Sequence, residues 1–312
     1  MKKLFRILSY CLIASILLLA AVVFLRPSAI VSKQDAKSKL ASPASHFLKW
    51  RDAEVHYTDE GKGFPILMIH GFGGSYMNFD ALANAFKDSF RVIRVDLPGF
   101  GLSDFPSVKD NENYIQDYND YMRFMLDTLH IDSLYVIGNS MGGGIAWLTA
   151  GEQPQRVKKL VLLDSAGYDT KAVADKLAMF KYKSVGKIFD RGMPMFMSKS
   201  GAENCYADKS KVDPESVIKN NISSNREGNL AFMLALARSK QFPDTTLISR
   251  VQCPTLIVWG KQDKIIPVEH AERFRHDIKN NKVLIFDSCG HVPMIEKTKE
   301  THDAILRFFE EI

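Results

Sequence analysis

The chain has 312 residues, 46% of them apolar and 25% charged, a globular balance that excludes a disordered or fibrous protein. Its net charge is +5, but four of the 41 basic side chains (Lys2, Lys3, Arg6 and Arg26) and none of the 36 acidic ones lie in the first thirty residues. The remainder is close to neutral, which excludes the gathered basic surface of a nucleic-acid-binding protein.

Residues 1–26 read as a membrane segment. Ile7 to Leu25 is free of charge, with Lys2, Lys3 and Arg6 before it and Arg26-Pro27 after it. The run is close to the roughly 20 residues that span a bilayer and longer than the core of a cleaved signal peptide. We read it as an uncleaved single-pass anchor, with secretion after signal cleavage as the alternative. The basic cluster ahead of it favours a cytoplasmic N-terminus and a catalytic domain on the exported side.

Residues 27–45 are small, polar and weakly basic and read as a tether. A chain starting near Ala44 is then expected to keep the whole folded domain, 46–312. An edge hairpin follows, His46–Trp50 and Ala53–Thr58. Strands and helices then alternate: strand Ile66–Ile69, helix Met77–Phe86, strand Phe90–Val95. Ile115, Tyr118, Met122, Met125 and Leu129 share one helical face. Strand Leu134–Ile137, helix Met141–Gly151 and strand Val157–Leu163 continue the pattern. About 166–247 shows helical periodicity and no clear strand. Alternation resumes with strand Thr255–Trp259, helix Glu269–Ile278, strand Lys282–Phe286 and helix Thr301–Ile312. This order predicts an α/β fold, a mostly parallel sheet with helices on both faces and an inserted helical cap.

Three loops carry chemistry. Gly138-Asn139-Ser140-Met141-Gly142 joins a strand to a helix, the setting in which a serine is forced outward as a nucleophile. Glycines two residues to either side leave room for the tight turn. His70-Gly71-Phe72-Gly73-Gly74 ends another strand, and its glycines let backbone approach a substrate. The N–H groups of Phe72 and Met141 are the expected oxyanion donors, and His70 is read as bracing its loop. His291, in Gly290-His291-Val292-Pro293, follows the last strand and is the expected general base. Asp263 is the expected acid. Asp164, which also ends a strand, is the alternative and reads instead as capping a turn with Ser165 and Gly167. Asp96 reads as turn chemistry.

No metal is expected, because the four cysteines (Cys11, Cys205, Cys253 and Cys289) match no zinc spacing and no disulfide framework. No organic cofactor is needed. In the cap, several of Met193, Met195, Phe196 and Met197 are candidates to face the pocket or the membrane and receive an apolar acyl chain, against the plainer reading of a small helical core.

HGFGGS, DLPGFGLSD, GNSMGG, LVLLDSAG, WGKQDKIIP and CGHVPMIE together resemble the α/β-hydrolase superfamily over roughly residues 46–312. Within it the chain most resembles bacterial Moraxella-type lipases and esterases and membrane-anchored monoacylglycerol lipases. The resemblance implies Ser140, Asp263 and His291 as a triad acting on small lipid-derived esters. Haloalkane dehalogenases and epoxide hydrolases are similar in fold but use an aspartate where Ser140 stands. Meta-cleavage C–C hydrolases share the serine, and they or lactone hydrolases are the alternative, although C–C hydrolases typically place an aromatic residue where Val292 stands. A non-catalytic binding protein of this fold is the rival from another class; it would normally have lost a triad member.

Overall fold

The computed structural model describes residue 10 and residues 27–106, 114–169, 189–239 and 244–311. The expected anchor therefore lies outside the described residues, apart from Tyr10. Among the described residues no helix is long and apolar enough to cross a membrane.

Eight strands form one sheet: β1 (Ser45–Trp50), β2 (Ala53–Glu60), β3 (Pro65–Ile69), β4 (Arg91–Val95), β5 (Leu134–Asn139), β6 (Val157–Leu163), β7 (Thr255–Gly260) and β8 (Asn281–Phe286). Their order is β1-β2-β4-β3-β5-β6-β7-β8. β1 and β2 form the expected hairpin at one edge, and β2 meets β4 antiparallel. From β4 to β8 every neighbouring pair is parallel.

The strand sequences explain the layers. Side chains alternate between sheet faces, so a strand covered on both sides is apolar throughout. Leu67, Ile69, Val136, Leu160, Leu162 and Ile257 face one core, with Tyr118 and Met122 of α3 (Tyr114–Thr128), Ile145 and Trp147 of α4 (Met141–Glu152) and Phe274 of α8 (Glu269–Asp277). Ile66, Met68, Ile137, Val161, Leu163 and Val258 face the other, with Leu82 and Phe86 of α2 (Asp80–Phe86) and Ile305 and Phe308 of α10 (Thr298–Glu310). Among the described residues three further helices, α5 (Met195–Cys205), α6 (Pro214–Asn225) and α7 (Asn229–Arg238), lie between β6 and β7 in the chain.

Residues 27–45 are not a free tether. They hold α1 (Lys33–Leu40), capped by the Ser32 side chain, which accepts the Asp35 N–H. Ala36 and Leu40, one turn apart, are buried with Leu102, beside Phe47, Met77 and Ile222. Tyr76 Oη donates to the Leu40 carbonyl at 2.6 Å. Ahead of α1, Ala29 N–H bonds the Arg191 carbonyl at 2.8 Å, Val31 N–H that of Asn225 at 2.9 Å, and Glu227 N–H that of Val31 at 2.9 Å. Lys33 pairs with Asp104 at 2.9 Å. Composition hides this docking because backbone hydrogen bonds and a few apolar contacts make it.

Candidate active site

Ser140 stands between β5 and α4 with φ 55° and ψ −122°, a conformation that few side-chain-bearing residues adopt. The two glycines of the elbow are sterically required: a Cβ on Gly138 would overlap the Gly142 carbonyl, and one on Gly142 would overlap the Ile69 carbonyl. Ser140 is thus held at the carboxyl edge of the sheet, beside the junction of β3 and β5 where the strand order reverses. Open α/β sheets place ligands at such a switch point.

Every other loop of the site also leaves a carboxyl end of the parallel strands. His291, after β8, donates from Nδ1 to Asp263 Oδ2 at 2.7 Å. That bond selects the tautomer with Nε2 as acceptor. Asp263, after β7, has a fully buried side chain. Its Oδ1 accepts the N–H groups of Ile265 (2.6 Å) and Ile266 (3.1 Å). The His291 loop is fixed from three sides. Its N–H bonds the Cys205 carbonyl at 2.7 Å, and its carbonyl accepts from Asn139 Nδ2 at 3.0 Å. The buried Glu296 of α9 (Pro293–Glu296) accepts the Gly290 N–H at 2.7 Å and also the N–H groups of Ala207 and Asp208. The expected base and acid are brought together, and Asn139 brings their loop to the nucleophile elbow.

Gly71 packs on the elbow so closely that a Cβ there would stand 2.9 Å from Ser140 Cβ. Phe72 follows, half-exposed, its ring edge-on to Phe100. Met141 is the first residue of α4, so its N–H has no acceptor within the helix. His70 is buried and braces the loop as expected. Its Nε2 accepts the Leu97 N–H at 3.0 Å, which leaves Nδ1 to donate to the Gly71 carbonyl at 2.7 Å. Burial pushes its pKa down, keeping the ring neutral.

Asp96 does more than shape a turn. The buried carboxylate accepts from Tyr76 N, Leu102 N and His56 Nδ1, each within 2.8 Å. Burial opposes its charge, but the His56 partner and these donors leave its pKa below the ordinary value. The loops after β3 and β4 are thereby joined through one group. Sequence spacing gives no signal for this hub, because His56 comes from another strand.

The cap differs from expectation. Met193 and Met197 pack into a small core with Phe189, Leu230 and Leu234, while Met195 and Phe196 are exposed. The side chains over the site come from α7 instead. Phe232 stacks on Phe105 and meets Phe100 edge-on, and Met233 Cε lies 3.4 Å from where a Gly73 Cβ would stand. The signal was present in α7 itself. Leu230-Ala231-Phe232-Met233-Leu234 is an unbroken apolar run, more apolar than a helix with one solvent face needs.

Asp164 is not a turn cap. Its carboxyl turns inward, accepts the Gly260 N–H at 2.9 Å and lies against Asp263. Asp164, Asp263 and His291 are the one group of potential metal ligands gathered among the described residues. Asp263 is already committed to His291 and to the amides of Ile265 and Ile266. Cys205, Cys253 and Cys289 form no disulfide among the described residues.

Residues 65–298 match the family described as alpha/beta hydrolase fold, and the chain belongs to that family. It is 30% identical to Lipase 3 of a Moraxella species over 78% of this chain and 76% of the lipase. It is also 30% identical to a 2-hydroxy-6-oxononadienedioate/2-hydroxy-6-oxononatrienedioate hydrolase of Paraburkholderia phymatum, over 82% of this chain and 91% of that enzyme. A membrane phospholipase A described as a bacterial virulence factor superposes with a TM-score of 0.72 at 24% identity, covering 99% of this chain and 98% of its own, a likeness of fold.

Proposed function

We propose that the protein is a carboxylic-ester hydrolase of the esterase or lipase type that cleaves apolar acyl esters by acyl transfer through Ser140, His291 and Asp263. The observation that carries this is an elbow serine whose neighbour Asn139 bonds the loop of a histidine, the tautomer of which a buried carboxylate fixes. His291 Nε2 takes the Ser140 proton as Oγ attacks the ester carbonyl. The N–H groups of Phe72 and Met141 hold the oxyanion. The alcohol leaves with the proton from His291, and water then releases the acid by the same steps in reverse roles. The aromatic wall of Phe72, Phe100, Phe105 and Phe232 suits an apolar acyl group. A panel of p-nitrophenyl esters, monoacylglycerols and dienone substrates tests the proposal; turnover of none of the esters overturns it.

A second reading, hydrolysis of a carbon–carbon bond with the same residues, is supported by the equal identity to the Paraburkholderia enzyme. Preference for the dienones in that panel selects it.

The reading places the enzyme at a membrane, held by residues 7–25, with its catalytic domain on the exported side. Ala29 is bonded to the cap at Arg191. Three residues separate it from Leu25, and the four Cα steps between them span at most about 14 Å. The cap and its exposed Met195 and Phe196 then lie near the bilayer surface, where lipid-derived esters gather. Protease added to intact spheroplasts is expected to digest the domain. Protection until lysis reverses the orientation. A soluble protein beginning after Leu25 replaces the anchor with a cleaved signal.

A further inference from the structure

Asp164 is a buried carboxyl that acyl transfer does not use. It ends β6, has no solvent exposure, and accepts the Gly260 N–H through Oδ1. Among the described residues no donor reaches its Oδ2. The negative charge of Asp263 acts on it directly. Polar atoms of Asp164, Asp263 and His291 lie within 4.8 Å of one another. Glu296 of α9 and the Cys289 thiol are the other ionisable groups facing it.

Two touching carboxylates in a site closed to water do not both ionise. The donors decide which keeps the proton. Asp263 accepts three N–H groups, from His291, Ile265 and Ile266. A proton there competes with that set. Asp164 accepts one, and its second oxygen is an orphan acceptor, which is costly when buried. A proton on that oxygen turns the orphan acceptor into a donor, and Asp263 is the carboxylate within reach of the residue.

We propose that Asp164 holds its proton at neutral pH and donates Oδ2–H to Asp263, making it a positioning residue for the acid of the triad. The catalytic part rests on the triad read above; the proton does not. Burial, and after it the negative charge of Asp263, push the Asp164 pKa well above the ordinary carboxylate value. Asp263 then faces the imidazolium as a single negative charge held by four donors.

Two substitutions suit the backbone, because Asp164 has φ 44° and both Asn and Gly accept a positive φ. Asp164→Asn keeps a donor that does not titrate, and Asp164→Gly removes it. The first measurement needs no activity. At neutral pH the wild-type protein is expected to show the infrared carbonyl band of a protonated buried carboxyl, and Asp164→Asn to lose it. Absence of the band from the wild type, or its persistence in Asp164→Asn, overturns the proposal. The second is the pH profile of kcat/KM. Asn is expected to rescue activity to within about threefold of wild type with the acid limb unmoved, while Gly loses roughly 10–100-fold. An Asn variant as damaged as Asp263→Asn overturns the proposal, since Asp164 is then needed as an anion. If wild-type protein neither hydrolyses esters nor reacts with a fluorophosphonate, the triad reading fails, and the infrared result still decides where the proton sits.

Discussion

Asn139 Nδ2 donates to the carbonyls of Leu163 and His291, both at 3.0 Å. One buried amide thus ties the strand that presents Ser140 to the neighbouring strand and to the loop of the base. Asn139→Ala leaves two buried carbonyls without that partner, at a cost of roughly 2 kcal/mol. We expect kcat/KM to fall about tenfold and the melting temperature by about 5 °C, read by ester hydrolysis and calorimetry. Unchanged kinetics in a destabilised variant would show that the amide serves folding alone.

Ser140→Ala is expected to keep the fold and to lose all labelling by a fluorophosphonate probe. The alanine inherits an unfavourable φ, so stability changes little beyond the loss of one hydroxyl. Labelling that persists at another serine moves the nucleophile.

Asp263→Asn leaves His291 Nδ1 without its carboxylate and is expected to lower kcat by about 10⁴. A loss smaller than tenfold, measured under saturating ester, assigns the acid role elsewhere.

Phe232→Ala is expected to lower kcat/KM on long-chain esters several-fold more than on acetate esters, because it removes part of the wall over the site. Phe196→Ala, on the exposed end of α5, leaves hydrolysis of dispersed esters unaltered. The reverse pattern restores the original placement of the acyl site.

The neutral His70 makes stability pH-dependent. Burial lowers its folded pKa below the unfolded value of about 6.5. The unfolded chain therefore binds the extra proton first as pH falls. The contribution is fully present above about pH 6.5 and shrinks as pH falls toward the lowered folded value. Urea midpoints measured from pH 7.5 to 5 should fall more steeply for wild type than for His70→Gln. Parallel curves would rule His70 out as the titrating group.

Most of the fold was legible because buried parallel strands are short apolar runs, as in Ile66–Ile69 and Leu134–Ile137, and each ends at a loop carrying glycine or a polar residue. The elbow, the oxyanion loop and the base are local motifs, readable from a few neighbouring residues. What escaped is long-range. His56 meets Asp96 across strands, Asp164 meets Asp263 across a strand end, and Glu296 meets Ala207 from the cap. The Met193–Met197 run drew the eye by composition, yet only packing decides which of two apolar helices covers the site. Residues 27–45 failed for the same reason, since backbone bonds leave no trace in side-chain pattern. A chain starting at Ala44 is accordingly expected to lose on the order of 3 kcal/mol, with Leu40 and its neighbours stripped from the surface of the domain. A start at Pro27 avoids that loss.

The bonds between Val31 and the stretch Asn225–Glu227 also set an order of events during synthesis. The ribosome makes residue 31 long before residue 227, so the leading segment has no docking partner while most of the chain is still being translated. Throughout that interval residues 27–41 are an undocked stretch of nascent polypeptide behind the apolar run 7–25. On the proposed reading of that run as an anchor, a translocon meets it before the fold can restrain it, and the domain closes over its own beginning only when the cap has emerged.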